Sequence, residues 1–526
     1  MAAESVTASC VTREPRIRRG GGGGTVAAES VTGRRSGRPR RRAGIAAAAV
    51  VALAAPVARG ESRPAYGGAL AIPLGGEPVS LDPVAARSPA EVAVVDLVCD
   101  TLYAFGAGGA PVPRLAAALP RVSADRLVAR VSVRAGVRFH DGSPVTPADV
   151  ARSIERARTD ARSAWLLAPV VRVAVDGGDV VVQLSRATPE LAALLAAPQT
   201  AVTPGGAPPA GDDLVGTGPF RIRAVDRGAR RIALDAVDDY FGGRAYADAV
   251  ELRWYDDADG EARDYEAGRT HASFRGAAAF PGHPPKYASR EVVAPPAVLV
   301  YVGFARDGIA GNVHVRRALS FAIERAAFEL PDVVGRGRAA VAPAAPGFGG
   351  PPVGRAERSA RVSDARRQLE RARRELPALR GDPPVLAIGV DASRPGDRGV
   401  AAKVRAALFR VGLPARVVVL APAALHAAAA RGAVDLYVGH LALPAPDAAL
   451  EVAAAFAIGG NGWAARALAR RSVPVTEMLA EFDRQLPIVP LFHRVRRAHV
   501  RAALGGLRFD ALGRLTVADA FVAEGP

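Results

Sequence analysis

The run Val133-Arg134-Ala135-Gly136-Val137-Arg138-Phe139-His140-Asp141-Gly142-Ser143-Pro144-Val145-Thr146-Pro147-Ala148-Asp149-Val150 constrains this chain more than any other stretch. It reads as a short strand, a tight turn at Asp141-Gly142 and a helix that starts at Thr146-Pro147. Glycine accepts the positive φ of a tight turn at no steric cost. Proline fits the first helical turn, where a missing N–H has no partner to lose. Asp149 follows Thr146 by three residues, the spacing at which a carboxylate reaches back to cap a helix start.

At 526 residues the chain is too long for one ordinary core, which predicts two or three lobes. From Gly67 to about Tyr103 the sequence gives a strand (GALAIPL), the loop SLDPVAARSPAE and a helix with Val95, Val98 and Leu102 at helical spacing. Cys99 on that helix reads as core packing. Two runs, VVRVAV and VVVQL, joined by Gly177-Gly178, read as a hairpin within a compact inserted lobe. Strand-like alternation resumes at VGTGPFRIRAV, from Val215 to Val225. From Pro384 onward PVLAIGV, GVAAKVRAALFRVGL, ARVVVL, APAALHAAAARG and VDLYVGH alternate strand and helix, the pattern of βαβ units on a parallel sheet.

The amino terminus predicts export. Arg34 to Arg42 form a basic block and Ala43 to Ala58 an apolar run of sixteen residues, with small residues around Ala55 to Gly60, as in a cleaved signal peptide. The run is short and alanine-rich for a retained anchor. Arg41-Arg42 sets a twin-arginine route beside the general secretory one, although its flanks match the twin-arginine signal poorly. The repeat of AAESVT at Ala2 and Ala27 reads as low-complexity leader, and cleavage would leave Cys99 as the only cysteine, too few for an internal disulfide.

The formal charge of +17 is less informative than it looks. Eleven Arg against three Glu in the first 60 residues account for +8 of it, which leaves +9 for the remainder. Only Lys286 and Lys403 are lysines among 69 basic residues, a coding bias rather than a nucleic-acid surface, and no basic stripe is interleaved with aromatic rings. Sequences of the types H-E-x-x-H, C-x-x-C, G-x-S-x-G and Walker A are absent, and the eight histidines lack metal-ligand spacing. Gly335-Arg336-Gly337-Arg338-Ala339-Ala340 imitates a dinucleotide motif, but the prolines behind it oppose the helix that motif needs and make it a loop. His140 and Asp141, adjacent at a strand-to-turn junction, point in different directions and read as structural rather than as an acid–base pair.

The opening run resembles the fingerprint of the extracytoplasmic solute-binding proteins, family 5, that serve peptide and nickel ABC importers. A second match is Gly216-Thr217-Gly218-Pro219-Phe220 followed by Asp239-Tyr240-Phe241-Gly242-Gly243, and a third is the helix bearing Arg316, Ala318, Leu319, Ala322, Ile323 and Arg325, with Glu324 in place of the usual Asp. The resemblance covers about residues 66–526. It implies an α/β, bilobal periplasmic-binding-protein-like fold (type II, cluster C-like) with an extra inserted lobe. The implied division is 1–60 leader and signal peptide, 61–103 and 214–300 lobe I, 104–213 inserted lobe II, 301–487 lobe III, and 488–526 closing strands returning to lobe I.

The same resemblance implies a monomeric, non-enzymatic binding component without cofactor, metal or nucleic-acid partner. It would capture an oligopeptide-like or other small polar solute by lobe closure and deliver it to a permease. The location would be periplasmic or secreted, at the outer face of the inner membrane when docked. A sensing or chaperone-like component without uptake is the alternative, and a secreted hydrolase the weaker one.

Carried over from the family, Tyr437 to Leu443 should line the cleft. The expected ligand contacts are Ser88, Trp165, Tyr437, Gly439, His440, Leu441 and Leu443, with Gly439 admitting the ligand backbone. Peptide-binding members read G-W-x-x-D here, their Asp meeting the peptide ammonium; this chain reads Gly439-His440-Leu441-Ala442-Leu443, and Leu443 cannot compensate a buried ammonium. The nickel branch's P-Y-DP-H is replaced by Pro444-Ala445-Pro446-Asp447-Ala448, without the histidine. His440 is a polar cleft contact or a structural histidine, and Trp165 a stacking surface or core, on sequence alone.

Overall fold

The computed structural model describes residues 64, 66–106, 108–256, 258–274, 286–305, 308–329, 337–394 and 396–522. The predicted leader and signal peptide, and Gly335-Arg336 of the imitation dinucleotide motif, lie outside them.

Three sheets organise the fold. The first has the strand order Ala69–Pro73, Ala249–Arg253, Arg231–Ala236, Phe220–Asp226, parallel in its first pair and antiparallel in the others. Alternation along its strands buries Leu70, Ile72, Ile232, Leu234, Val250 and Leu252 on one face, as a half-solvated sheet requires. The helix Pro89–Val98 belongs to the same core and buries Val92, Val94, Val95 and Val98. It stops at Cys99, so Leu102 is buried beyond the helix rather than on it.

The second sheet is antiparallel, in the order Arg121–Val122, Val128–Ser132, Asp179–Leu184, Val170–Asp176. Gly177 and Gly178 turn its hairpin with φ of 59° and 85°, a conformation two side-chain-bearing residues would resist. The helix Pro147–Thr159 starts as the sequence predicts: Thr146 accepts from the Asp149 N–H at 3.3 Å, and Asp149 accepts the Thr146 N–H at 2.9 Å. Val150, Ile154 and Ala157 form its buried stripe.

Two fingerprints meet between these sheets. The His140 N–H donates to Gly216 O at 2.9 Å, His140 Nε2 donates to Gly218 O at 3.0 Å, and His140 Nδ1 accepts the Gly216 N–H at 3.4 Å. A Cβ on Gly216 would stand 2.1 Å from Val98 O, and one on Gly218 2.5 Å from Leu97 O; only glycine lets this segment approach the helix end. Burial pushes the His140 pKa down, and both ring nitrogens are used in folding, which leaves no acid–base role.

The third sheet has six strands, ordered Gly337–Ala339, Val489–Arg494, Val298–Phe304, Leu436–Ala442, Leu386–Asp391, Ala415–Leu420. Leu386–Asp391 is parallel to both Ala415–Leu420 and Leu436–Ala442, the expected βαβ arrangement, but the other three pairings are antiparallel, so the sheet is mixed. Val489–Arg494 is fully paired here, between Val298–Phe304 and Gly337–Ala339, not in the first lobe. The chain leaves this sheet only afterwards, when Arg497–Arg501 pairs with Ala272–Ser273 and Ser289–Val293. The helix Val313–Ala322 ends before Arg325. Arg325 is buried and donates to Ala340 O and Pro490 O at 2.8 and 3.3 Å, so this arginine of the third fingerprint stitches the lobe together.

Candidate functional site

A small cavity lies where all three regions meet. One wall comes from the loop before the helix Pro89–Val98. Asp82 caps a short turn by accepting the Val84 N–H at 3.3 Å, while its other oxygen receives Arg156 Nη2 at 2.6 Å and Arg162 Nη2 at 3.1 Å. Arg162 also binds Asp160 at 2.7 Å, and that hydrogen bond leads the effects that hold the Asp160 carboxyl down to about 2. The Arg162 carbonyl accepts from Arg87 Nη2 at 2.9 Å and from Trp165 Nε1 at 3.1 Å. One backbone oxygen thus orients a guanidinium and an indole around the same space.

Gln199, 6% exposed, completes this wall. Its Nε2 donates to Ala86 O, and its Oε1 has no partner among the described residues. The opposite wall is apolar: Leu441, Ala442 and Pro444 from the end of the third-sheet strand, then Ala454, Ala457 and Ile458 from the helix Ala448–Ile458. Asp447 caps that helix by accepting the Ala449 and Leu450 N–H groups at 2.8 and 3.0 Å. The two walls touch where the Ala442 N–H donates to Arg87 O at 2.9 Å. Enclosed between them is about 10 Å³ of space open to the centre of a water-sized sphere, roughly one water molecule's worth.

Beside the cavity a polar latch joins the first and third regions. The Glu77 N–H donates to Ser393 Oγ and Arg394 Nη1 to Gly75 O, both at 3.0 Å. Asp391 holds Ser393 and Arg394 at 2.7 and 3.2 Å. Next to it His440 Nε2 meets Asp397 at 2.9 Å, both side chains buried, with Arg494 at 4.0 Å from Asp397. Burial outweighs Asp397 and pushes the His440 pKa down. The second and third regions are tied by Arg186 Nε to Leu468 O at 2.7 Å.

Of the seven residues expected from sequence, Trp165 and Leu441 line the cavity. Ser88 instead caps the helix Pro89–Val98, accepting the Glu91 N–H at 3.3 Å. Gly439 is required by packing within the sheet: a Cβ there would lie 2.3 Å from the Tyr301 ring, and one on Gly303 2.2 Å from the Tyr437 ring. Tyr437 stands edge-on to Tyr301, with centroids 6.2 Å apart. His440 is spent on Asp397, and Leu443 is buried outside the cavity lining. The sequence reading missed Arg87, Arg162 and Gln199. Arg87 neighbours Ser88 in the loop already singled out; Arg162 and Gln199 carry no local signal.

Among the described residues no group of three or more His, Cys, Asp or Glu could hold a metal ion, and no helix is long and apolar enough to cross a membrane.

Comparison with known proteins gives the frame. The uncharacterized protein YhjP of Bacillus subtilis is 32% identical over 178 residues, which are 33% of this chain and 30% of that protein. The oligopeptide-binding protein AppA of Bacillus subtilis, solved with a nonapeptide, superimposes with a TM-score of 0.72 at 17% identity, over 88% of this chain and 100% of AppA. The binding protein AgaA of A. tumefaciens R10, solved with agropinic acid, gives 0.69 at 20% identity, over 87% and 99%. These likenesses show the α/β bilobal binding-protein fold. The family model of bacterial extracellular solute-binding proteins, family 5 (middle region), matches residues 110–459, and the chain belongs to that family.

Proposed function

We propose that this protein is the extracytoplasmic substrate-binding component of an ABC importer. It captures a small solute between its lobes without transforming it and hands it to a membrane permease. The observation that carries this reading is the cavity walled from three regions and flanked by inter-lobe hydrogen bonds. A ligand touching both walls stabilises the closed arrangement by the contacts it loses on opening. The amino-terminal basic block and apolar run support export by a cleaved signal peptide, with the protein acting as a monomer in the periplasm or outside the cell.

A thermal-shift screen of di- to pentapeptides, metal chelates and amino-acid conjugates tests this. At least one solute is expected to raise the unfolding midpoint progressively with the logarithm of its concentration, the stabilisation reaching about 2.7 kcal/mol at a hundredfold excess over its Kd. A panel with no stabilising member contradicts solute capture.

A further inference from the structure

The third sheet ends on an open edge. Its last strand, Ala415–Leu420, pairs among the described residues only with Leu386–Asp391. The Leu386 N–H donates to Pro414 O at 2.9 Å and the Ala392 N–H to Leu420 O at 2.8 Å, so the even-numbered residues of this strand turn their backbone groups inward. Backbone polar groups alternate sides along a strand, which leaves the N–H and C=O of Ala415, Val417 and Val419 facing outward. Nothing among the described residues hydrogen-bonds to them there. The helix Gly396–Arg410 packs over the same strand and presents Arg398, Ala402, Arg405 and Phe409 on its exposed side. Phe409 is 77% exposed, more than any other large hydrophobic side chain among the described residues, and Val419 is also exposed. Between helix and strand runs a groove of about 410 Å³ lined by Ala402, Arg405, Ala406, Phe409, Pro414 and Ala415. No acidic residue lines it, and neither Arg398 nor Arg405 forms an ion pair among the described residues.

We propose that this edge docks an extended acidic segment of a partner protein, which adds a seventh strand beside Ala415–Leu420, packs an apolar side chain on Phe409 and sets a carboxylate on Arg405. An edge with free donors and acceptors is a template for another chain. Strand addition draws affinity from main-chain hydrogen bonds and selectivity from alternate side chains. The cations fix the sign of the partner. A second copy of this chain would bring its own Arg405 and the exposed Arg416 to the same edge, and like charges opposed across a strand pair destabilise it. A lipid surface would meet the arginines but offers no row of backbone groups to Ala415, Val417 and Val419. None of these residues lines the cavity between the regions, so the docking site stands apart from solute capture.

Hydrogen exchange of the purified protein with three peptides tests it. Acetyl-Leu-Thr-Glu-Thr-Glu-Thr-Leu-amide puts its leucines and glutamates on one face in either strand direction. A second peptide carries lysine in place of glutamate, and a third is the acidic peptide fully N-methylated, without backbone donors. The acidic peptide is expected to slow exchange across Ala415–Leu420, and the other two to leave it unchanged. Arg405→Glu should weaken the acidic peptide about fivefold, the scale of a cross-strand charge pair, and turn the preference towards the lysine peptide. Phe409→Ser should weaken it several-fold; both side chains are exposed, so neither change disturbs the core. Equal protection by the lysine or N-methylated peptide, an Arg405→Glu variant that binds unchanged, or protection confined to other segments overturns the proposal. So does silence from all three peptides. A concentration-dependent dimer that Phe409→Ser abolishes would assign the edge to a second copy, and protection by phosphatidylglycerol vesicles but not by the acidic peptide would assign it to a membrane; either result also overturns it.

Discussion

The latch and the cavity join regions of the same molecule, yet they treat charges in different ways. In the latch Asp391 faces Ser393 and Arg394, Asp397 faces His440, and Arg394 reaches Gly75 O. In the cavity, among the described residues, Arg87 lacks a carboxylate and Gln199 Oε1 lacks a donor. The latch pairs its charges, with His440 Nδ1 left without a hydrogen-bond partner among the described residues, and charge pairs hold an arrangement. Incomplete groups facing an enclosed space leave interactions for something that enters it. Substitutions in the latch should therefore change stability, and substitutions in the cavity should change binding.

The largest expected effect sharpens the latch side. Asp397→Ala leaves His440, Arg394 and Arg494 around a missing charge and should cost about 3–5 kcal/mol in urea unfolding, as for other broken buried pairs. Acidification comes next. His493 donates Nε2–H to Pro343 O at 2.8 Å, its Nδ1 has no partner among the described residues, and burial holds its pKa down to about 4. The unfolded chain, with histidine near 6.5, then binds the extra proton first, so stability is full above that pH. It falls as pH drops from about 6.5 to 4, by about 3 kcal/mol in all. His493→Gln keeps the donor and should flatten this part of the profile.

Gly439→Ala drives a methyl into the Tyr301 ring and should cost about 2 kcal/mol. Ligand affinity should stay unchanged, and a selective loss of binding would return Gly439 to the cleft. Ser88→Ala removes a helix cap, at about 1 kcal/mol and no change in affinity. Arg87→Gln should move stability least, within about 0.5 kcal/mol, because it surrenders one exposed hydrogen bond. An Arg87 variant that destabilised as much as Asp397→Ala would erase the distinction between the two regions.

What the sequence conveyed follows the range of each signal. The turn at Asp141-Gly142 and the cap of Thr146 with Asp149 are decided within four residues, and they stand where the local chemistry puts them. The mutual hold of His140 with Gly216 and Gly218 joins two motifs that were both visible, but nothing local says that residues nearly eighty positions apart will meet. Val489–Arg494 reads as a buried strand in any sheet; its place beside Val298–Phe304 is set by long-range pairing. In the cleft strand, the family resemblance named Leu441, which borders the cavity, but could not tell that the space above Gly439 belongs to Tyr301. Arg87 and Arg162 come from separate loops and Gln199 from the single 3-10 turn Pro198–Thr200, none of them with periodicity, so the polar half of the cavity was invisible until those segments were assembled.

Trp165 offers the most direct measurement of solute capture. The other two tryptophans, Trp254 in the first-region core and Trp463 against Phe456, can be replaced by Phe, which leaves Trp165 as the reporter in the cavity wall. The double variant is titrated with the solute that most raises the unfolding midpoint. Trp165 emission should shift and saturate with the Kd that the concentration dependence of the stabilisation gives. A solute that stabilises the protein fully while Trp165 emission stays constant would place the binding site elsewhere and contradict the account.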